Sequence, residues 1–342
     1  MTLEFAWWDH FEHRAGVPFV QQYEERIALV AHAEKLGFHG YYVAEHHFAT
    51  LDMVASPLLM HAALAQRTSK IMLGTAVLCL PLYHPTRLVQ DICVVDQMSK
   101  GRLVLGVGHG VRDCEHEWLS VPPKEARERM LETLAIVRQG LKQGLLNYEG
   151  KYYQYKDVPT NFAPYQKPTP RFLYAGNGKF AATNGMHCIS GYSRDAVENY
   201  WRIWEEEKAK GNPLLEGPPA RMGSPHRMVI GETDEKAMAI AHRAFKAYKR
   251  NFFSTSTLSE GVNLTPAMMG MDVDDASKHL ASGQIIAGSP ATIRSKLEAF
   301  LDRVGPKYNY LIGVFQWGDM TSEEARLSLD LFASEIMPKL KR

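Results

Sequence analysis

Short β-branched or aromatic runs alternate with amphipathic stretches of helix length along almost the whole 342-residue chain. Residues 20–36 illustrate the second kind, with apolar side chains at helical spacing and a stop at Gly37. Alternation of this kind is typical of parallel sheets that are covered by helices. Eight main strands are predicted, at residues 3–8, 39–44, 70–77, 102–107, 171–175, 187–190, 227–231 and 309–315.

Helices are predicted between and after these strands, at residues 20–36, 57–66, 86–98, 124–141, from 179, 194–208, 234–249, 289–303 and 323–340. Eight strand–helix units over this length predict an α/β fold of the (β/α)8 TIM-barrel type, with one domain spanning residues 1–342. A doubly wound open sheet is the alternative. That fold usually has a glycine-rich turn after its first strand, where residues 9–12 read Asp-His-Phe-Glu.

Two segments interrupt the alternation and are predicted to be insertions. Residues 147–155 have the pattern of a small hairpin that turns at Glu149 and Gly150. Residues 250–283 are polar, rich in methionine and weakly periodic, and they are too long for an ordinary connection. We expect this second segment to form a lid-like insertion.

Composition excludes several classes of partner. Lys and Arg number 39 and Asp and Glu number 38, so the net charge of +1 provides no general field for nucleic acid or an anionic membrane. The four cysteines contain no C-x-x-C pair, and no signal-peptide pattern or long apolar run is visible. We therefore expect a cytoplasmic protein that acts without nucleic acid or membrane.

The end of the second predicted strand carries the most informative polar residues. It reads Glu45-His46-His47, and adjacent side chains at a strand end point to opposite faces, so one of Glu45 and His46 can enter the barrel. A histidine titrates near neutral pH and can exchange a proton with a reacting oxygen. The alternatives are a cap of the strand or a metal site, for which the nearby candidate ligands are His10, His13, His109 and His116.

Glycine-rich turns follow the fourth and fifth strands, at residues 106–110 and 176–178. Glycine lets the backbone approach a ligand closely, and the second turn precedes a helix start that suits a phosphate. Two such turns at one barrel mouth favour a large planar phosphorylated cofactor. At each segment, the alternative is that the glycines only form a tight turn between strand and helix. Aromatic residues are predicted to cluster at the same mouth, where they wall off a pocket or fill the barrel end: Trp7, Trp8, Phe48, Phe315 and Trp317.

Several of these motifs together resemble the bacterial luciferase-like flavin monooxygenases. The motifs are AEHHF at residues 44–48, KGRL at 100–103 leading into GVG at 106–108, YEGKY at 148–152 and AGSP at 287–290. The resemblance extends over residues 1–340 and implies a single luciferase-like barrel. It also implies that a separate flavin reductase supplies reduced FMN, which reacts with O2 to oxidise a small organic substrate (an aldehyde, aliphatic or aromatic compound).

The resemblance implies specific residues as well. His46 matches the catalytic histidine, with Glu45 and His47 beside it. Cofactor contacts are implied after strands three, four and five and on the fourth main helix: Thr75, Ala76, Gly108, His109, Arg127, Ala175, Gly176 and Asn177. A homodimer is implied through the second and third helices. Their apolar residues could serve the interface or could equally face the barrel: Leu58, Leu59, Leu64, Leu88, Val89 and Ile92. No metal is implied.

Three other functions remain open at this point. A deazaflavin-dependent oxidoreductase on the same barrel would transfer hydride without O2. A non-catalytic flavin-binding protein would hold the cofactor without turnover. A metal-dependent barrel hydrolase would use the histidines as ligands.

Overall fold

Eight parallel strands form a closed ring in the computed structural model, which describes residues 2–142, 144–254 and 276–340. The ring runs in chain order and closes between the last strand and the first, where Trp7 pairs with Gly313. The predicted TIM barrel is confirmed. The strands are β1 (Glu4–Asp9), β2 (Gly40–Val43), β3 (Met72–Thr75), β4 (Leu78–Cys79), β5 (Leu103–Gly108), β6 (Gly144–Glu149), β7 (Gln154–Thr160), β8 (Arg171–Tyr174), β9 (His187–Ile189), β10 (Met222–Ile230), β11 (Ile285–Gly288) and β12 (Tyr310–Val314).

The barrel proper consists of β1, β2, β3, β5, β8, β9, β10 and β12, and helices connect its strands. The helices are α1 (Phe19–Lys35), α2 (Pro57–Ala65), α3 (Pro85–Ser99), α4 (Asp113–Trp118), α5 (Ala126–Gly140), α6 (Gly178–Thr183), α7 (Arg194–Ala209), α8 (Asp234–Phe253), α9 (Ser277–Ala281), α10 (Pro290–Val304), α11 (Ser322–Leu331) and α12 (Met337–Leu340). A π-helical stretch, Phe332–Ile336, joins the last two.

Local sequence signals explain where several helices begin. Proline occupies the first turn of α2, α3 and α10, where its missing N–H costs no hydrogen bond. The side chain of Ser289 accepts a hydrogen bond from the backbone N–H of Thr292 at the start of α10. Thr321 and Glu324 form a capping box at the start of α11. None of the described helices is long and apolar enough to cross a membrane.

Strand alternation sorts the side chains into two layers. One buried cluster, containing Ala6, Tyr42 and Tyr310, fills the interior of the barrel. Residues of opposite parity pack between strands and helices, as Trp7 does against Tyr41 at 5.1 Å between ring centroids. Phe315 likewise packs against neighbouring rings outside the barrel. The prediction that all the aromatic residues cluster at the mouth is therefore wrong for Trp7 and Phe315.

Both predicted insertions have counterparts in the structure. β6 and β7 form an antiparallel hairpin that is longer than the predicted 147–155 segment. Within the segment 250–283, the chain first completes α8 and later forms α9, and residues 255–275 lie outside the described residues. The prediction of a lid there is not tested. β10 begins five residues before the predicted start at 227, and β11 pairs with its second half.

Candidate active site

A histidine–glutamate pair stands at the carboxyl end of the barrel. Nδ1 of His46, three residues after β2, lies 3.0 Å from Oε1 of Glu115 and 3.4 Å from its Oε2. Glu115 belongs to α4 and is 2% exposed. Because a carboxylate accepts the Nδ1 proton, it fixes the tautomer in which Nε2 is free to accept a proton. No residue in the described ranges hydrogen-bonds that Nε2 atom.

Glu45 and His47 form a second pair, in different surroundings. Oε2 of Glu45 accepts hydrogen bonds from the backbone N–H of Cys79 at 3.1 Å and the hydroxyl of Tyr83 at 2.8 Å. Its Oε1 lies 2.8 Å from Nε2 of His47. Burial alone would lower the pKa of His47, but the hydrogen bond and charge of Glu45 outweigh it and raise the pKa. These contacts anchor the loop to β4 and the start of α3, whereas His46 is held by α4.

A row of three rings lines one side of the opening. The indole Nε1 of Trp8 donates to the carbonyl of Ala76 at 3.2 Å. The ring centroids of Trp8 and His10 are 4.5 Å apart, and those of His10 and His46 are 5.8 Å apart. Burial, and then the nearby positive charge of Arg227, lower the pKa of His10 well below its usual value, so this imidazole is neutral at pH 7. The row connects the end of β3 to His46.

The glycines at the end of β5 have a structural cause. A Cβ on Gly106 would lie 1.8 Å from the carbonyl oxygen of Thr75, and a Cβ on Gly108 would lie 2.6 Å from Cγ2 of Val77. Packing against the end of β3 therefore forbids side chains at both positions. The glycine pattern is explained by strand contact, and by itself it is not evidence for a ligand.

The predicted cofactor residues near β3 and β5 differ in whether they are free to contact a ligand. The hydroxyl of Thr75 donates to the carbonyl of Gly106 at 2.7 Å and is fully buried, so it is not free for a ligand. The side chain of Ala76 is a methyl group and Gly108 has no side chain, so neither residue fills the opening. Burial, followed by neighbouring positive groups that include Arg127, lowers the pKa of His109. His109 is thus a neutral imidazole with a cation close by.

The predicted phosphate residues lie on the outer rim. Ala175, Gly176 and Asn177 follow β8 and are exposed, as is Arg127 at the start of α5. The side-chain oxygen of Asn177 accepts the backbone N–H of Phe180 at 2.9 Å and caps α6. Oδ1 of Asn177 therefore already accepts a hydrogen bond within the chain, whereas the guanidinium of Arg127 faces solvent.

Sequence reasoning missed the helix that carries Glu115. α4 has six residues and lies inside the connection from β5 to α5, where periodicity gives no signal. His116 on this helix reaches back to the loop, with Nε2 2.6 Å from the carbonyl of His109 and Nδ1 2.9 Å from that of Arg112. The available clue was a Glu-His pair a few residues after a strand end that already contained His109.

Two other kinds of site find no support in the described ranges. These ranges contain no group of three or more His, Cys, Asp or Glu side chains arranged to hold a metal ion. A groove between α3, α5 and the hairpin is lined by residues such as Val89, Leu146 and Phe162, and none of its lining side chains is titratable. The groove therefore offers no side chain for proton transfer.

The fold and this opening define an α/β-barrel enzyme in which a partly exposed histidine pairs with a buried glutamate at the strand ends. The family model described as luciferase-like monooxygenase matches residues 3–307. The chain therefore belongs to the luciferase-like monooxygenases, a family of flavin-dependent enzymes, which confirms the resemblance seen in the sequence.

Individual relatives agree with this membership. The chain is 26% identical to limonene 1,2-monooxygenase of Rhodococcus erythropolis over 336 residues, covering 95% of this chain and 84% of that protein. It is 30% identical over 193 residues to the oxygenase component of the flavin-dependent trigonelline monooxygenase of Acinetobacter baylyi, covering 54% and 53%. The oxygenating constituent of 3,6-diketocamphane monooxygenase of Pseudomonas putida, solved with FMN, shares the fold with a TM-score of 0.79, 22% identity and 99% coverage of both chains.

Proposed function

We propose that the protein is the oxygenase of a two-component system that uses reduced FMN and O2 to oxidise a small organic substrate. The observation that carries this proposal is the His46–Glu115 pair, which presents a free Nε2 at the carboxyl end of the barrel. Active sites of this fold are built at that end. Family membership supplies the flavin chemistry, and the pair supplies a proton acceptor beside it.

The residues present fit a flat, phosphorylated cofactor. Ala76 and Gly108 leave the side of the opening near β3 and β5 free of bulk, and the row from Trp8 to His46 borders it. Arg127 offers an exposed guanidinium that suits a phosphate group. We assign the flat ring system of the cofactor to the side of the opening near Ala76, and its phosphate to the rim formed by Arg127 and the turn at Gly176.

Bound reduced FMN supplies the electrons that activate O2. The protein's own part is proton handling: Nε2 of His46 takes up a proton from the reacting oxygen or returns one to it. Glu115 stabilises the imidazolium that forms, because its carboxylate stays hydrogen-bonded to Nδ1. The neutral ring of His10 and the indole of Trp8 exclude water from that side of the opening.

The test is a titration of the purified protein with photoreduced FMN under anaerobic conditions. We expect saturable binding at tens of micromolar or below, and oxygenase-dependent transfer of an oxygen atom from O2 to an added organic substrate once a flavin reductase and NADH are supplied. Absence of binding would contradict the proposal. Binding without oxygenase-dependent product would favour the non-catalytic flavin protein instead. Turnover with a reduced deazaflavin and no O2 would favour the hydride-transfer alternative.

We also propose a homodimer in which α2 and α3 form the interface. Of the six apolar residues expected to serve it, Leu58, Leu64, Leu88, Val89 and Ile92 are buried within the chain, so they support the barrel instead. Leu59 is 72% exposed on α2, and Val94 and Met98 are exposed on α3 beside it. Light scattering should give twice the chain mass of 38.6 kDa, and Leu59→Glu should shift the protein toward monomer. A monomeric wild type would contradict this proposal.

A further inference from the structure

Four buried polar atoms without a hydrogen-bond partner belong to residues in or just after β1, β10 and β12. They are Nδ1 of His10, Oε1 of Glu12, Nε of Arg227 and Oε1 of Gln316, among ten such atoms in the described ranges. Buried polar groups are normally hydrogen-bonded, so these four atoms are available to hydrogen-bond a ligand at this end of the barrel. We call these four residues the mouth cluster.

The topology directs the mouth cluster into the barrel opening. The ring of His226 packs on Phe300 of α10, with centroids 4.5 Å apart, so the next residue of β10, Arg227, points to the opposite, inner face. β1 and β12 are neighbouring strands in which Trp7 pairs with Gly313, and His10 and Gln316 follow the carboxyl ends of these two strands. Glu12 follows two residues later and is 3% exposed.

Arg227 has an aromatic contact but no counterion. Its Cζ lies 4.1 Å from the centroid of the Tyr248 ring, and it forms no ion pair with any carboxylate of the described ranges. Its charge is nonetheless felt by both His10 and Glu12. A stacked guanidinium with an unpartnered Nε has the donors that recognise a carboxylate.

Glu12 complements Arg227 as a hydrogen-bond donor. Its Oε2 accepts a hydrogen bond from Nδ2 of Asn251 at 3.1 Å, the backbone N–H of Gly318 also acts on the carboxyl, and Oε1 has no partner at hydrogen-bond geometry. Burial raises the pKa of Glu12 to about 7, against the opposing effects of Asn251 and Arg227. A protonated carboxyl therefore exists in a large fraction of molecules near neutral pH, and its O–H can donate to an anion.

We propose that the mouth cluster binds the carboxylate of a small organic substrate, with Arg227 as counterion and Glu12 as hydrogen-bond donor. This inference rests on the proposed function, since it names the substrate class of the same opening. Trp8 and Tyr248 give the surroundings aromatic surface, which favours an aromatic carboxylic acid. His46 lies beside His10, at 5.8 Å between ring centroids, so the cluster adjoins the His46–Glu115 pair.

The experiment compares benzoate with benzamide, its neutral isostere, on the flavin-free protein by calorimetry. We expect benzoate to bind at least about tenfold more tightly than benzamide. Arg227→Gln should remove that preference, and Arg227→Lys should keep part of it, because charge remains while the planar fork is lost. Arg250→Gln, on exposed α8 surface, is the matched control and should bind benzoate like the wild type.

Parallel titrations with inorganic phosphate and photoreduced FMN separate the possible anions. We expect Arg227→Gln to change the affinity for either by less than about twofold. If Arg227→Gln weakens phosphate and FMN but leaves benzoate unchanged, the guanidinium serves the cofactor and the proposal is wrong. Equal binding of benzoate and benzamide would also overturn it. If benzoate binds as expected while FMN does not bind, the proposed function fails and the carboxylate site stands.

A pH series tests the role of Glu12. Other charged or titratable groups around the mouth cluster are Asp9, Arg26, His46, Arg112, Tyr248 and Lys249. Benzoate affinity should rise as pH falls through about 7, because an anion binds best beside the protonated carboxyl. Glu12→Gln should flatten this dependence, and exposed Glu24→Gln should leave it unchanged. A pH dependence that persists in Glu12→Gln would exclude Glu12 as the donor.

Discussion

The two ends of the barrel each contain a cluster of charged and aromatic side chains, but the clusters differ in whether their polar atoms have hydrogen-bond partners. At the amino end, Arg221 donates from Nε to Glu4 at 2.5 Å and approaches the imidazoles of His39 at 2.8 Å and His187 at 3.4 Å. The hydroxyl of Tyr310 completes this network at 3.0 Å from Nδ1 of His39. At the carboxyl end, each member of the mouth cluster leaves an atom unpartnered.

This difference separates a structural network from a binding site. A buried ionic network in which each group has a partner fixes one arrangement of the strands that contribute to it. Buried groups without partners cost stability and are retained where a ligand completes them. We therefore expect substitutions at the amino end to change stability, and substitutions at the carboxyl end to change binding and turnover.

The largest effect is expected at the carboxyl end. His46→Gln should lower substrate oxidation by about 10²–10⁴-fold, the usual contribution of a general acid–base group, because Nε2 no longer exchanges a proton. The melting temperature and the affinity for photoreduced FMN should stay close to wild type. His32→Gln, on α1 far from the opening, is the control. Unchanged product yield in His46→Gln would remove His46 from the mechanism.

A substitution at the amino end should lower stability and leave FMN binding unchanged, which is the opposite of the effect expected for His46→Gln. Arg221→Gln leaves the partly exposed Glu4 without its ion pair and removes the hydrogen bonds to the two imidazoles, so it should lower the free energy of unfolding by about 2 kcal/mol. FMN affinity, measured well below the unfolding transition, should not change. Arg202→Gln breaks an exposed pair with Glu206 and should cost less than about 1 kcal/mol. Denaturant titration gives both values, and equal losses in the two variants would contradict a special role for the network.

The amino end should also make stability depend on pH. Burial, with the charge of Arg221 acting in the same direction, lowers the pKa of His39 from 6.5 to about 4. Between these pH values the unfolded chain binds a proton that the folded chain does not, so stability is complete above about pH 6.5 and falls toward pH 4. The loss amounts to about 3 kcal/mol for His39. His39→Gln should reduce this slope, and exposed His84→Gln should leave it unchanged.

The smallest effect is expected from the partner of His46. Glu115→Gln keeps a hydrogen-bond acceptor near Nδ1 but removes the charge that stabilises the imidazolium. By analogy with residues that orient metal-bound histidines, turnover should fall about 10–100-fold. The pH dependence of turnover should shift as well, which a purely structural role would not produce. Glu117→Gln, two residues further on α4 and exposed, should behave like the wild type.

The fold was predictable because strands and helices of ordinary length alternate along the chain, so that the closed order of the ring follows from local patterns. β10 was the exception: its first half, from Met222, includes Pro225, and only the apolar run from residue 227 was identified as a strand. The orientation of the aromatic residues was also open to prediction, since Trp7 and Trp8 are adjacent in one strand and cannot both face inward.

The site was predictable only in part. His46 could be singled out because it sits at a strand end beside Glu45, whereas its partner Glu115 comes from a six-residue helix 69 positions away. The mouth cluster depends on β12 pairing with both β10 and β1, which brings three strands from distant parts of the chain side by side. The glycines at the end of β5 were linked to a ligand, and only the structure shows how closely Thr75 and Val77 approach them.

The most direct measurement is a crystal structure of the protein soaked anaerobically with reduced FMN. The carboxyl-end site predicts density for the ring system against Ala76 and Gly108, within contact of His46, with the phosphate near Arg127. Density at the amino end beside Arg221, or in the groove between α3 and the hairpin, would contradict the assignment of the active site to the barrel mouth.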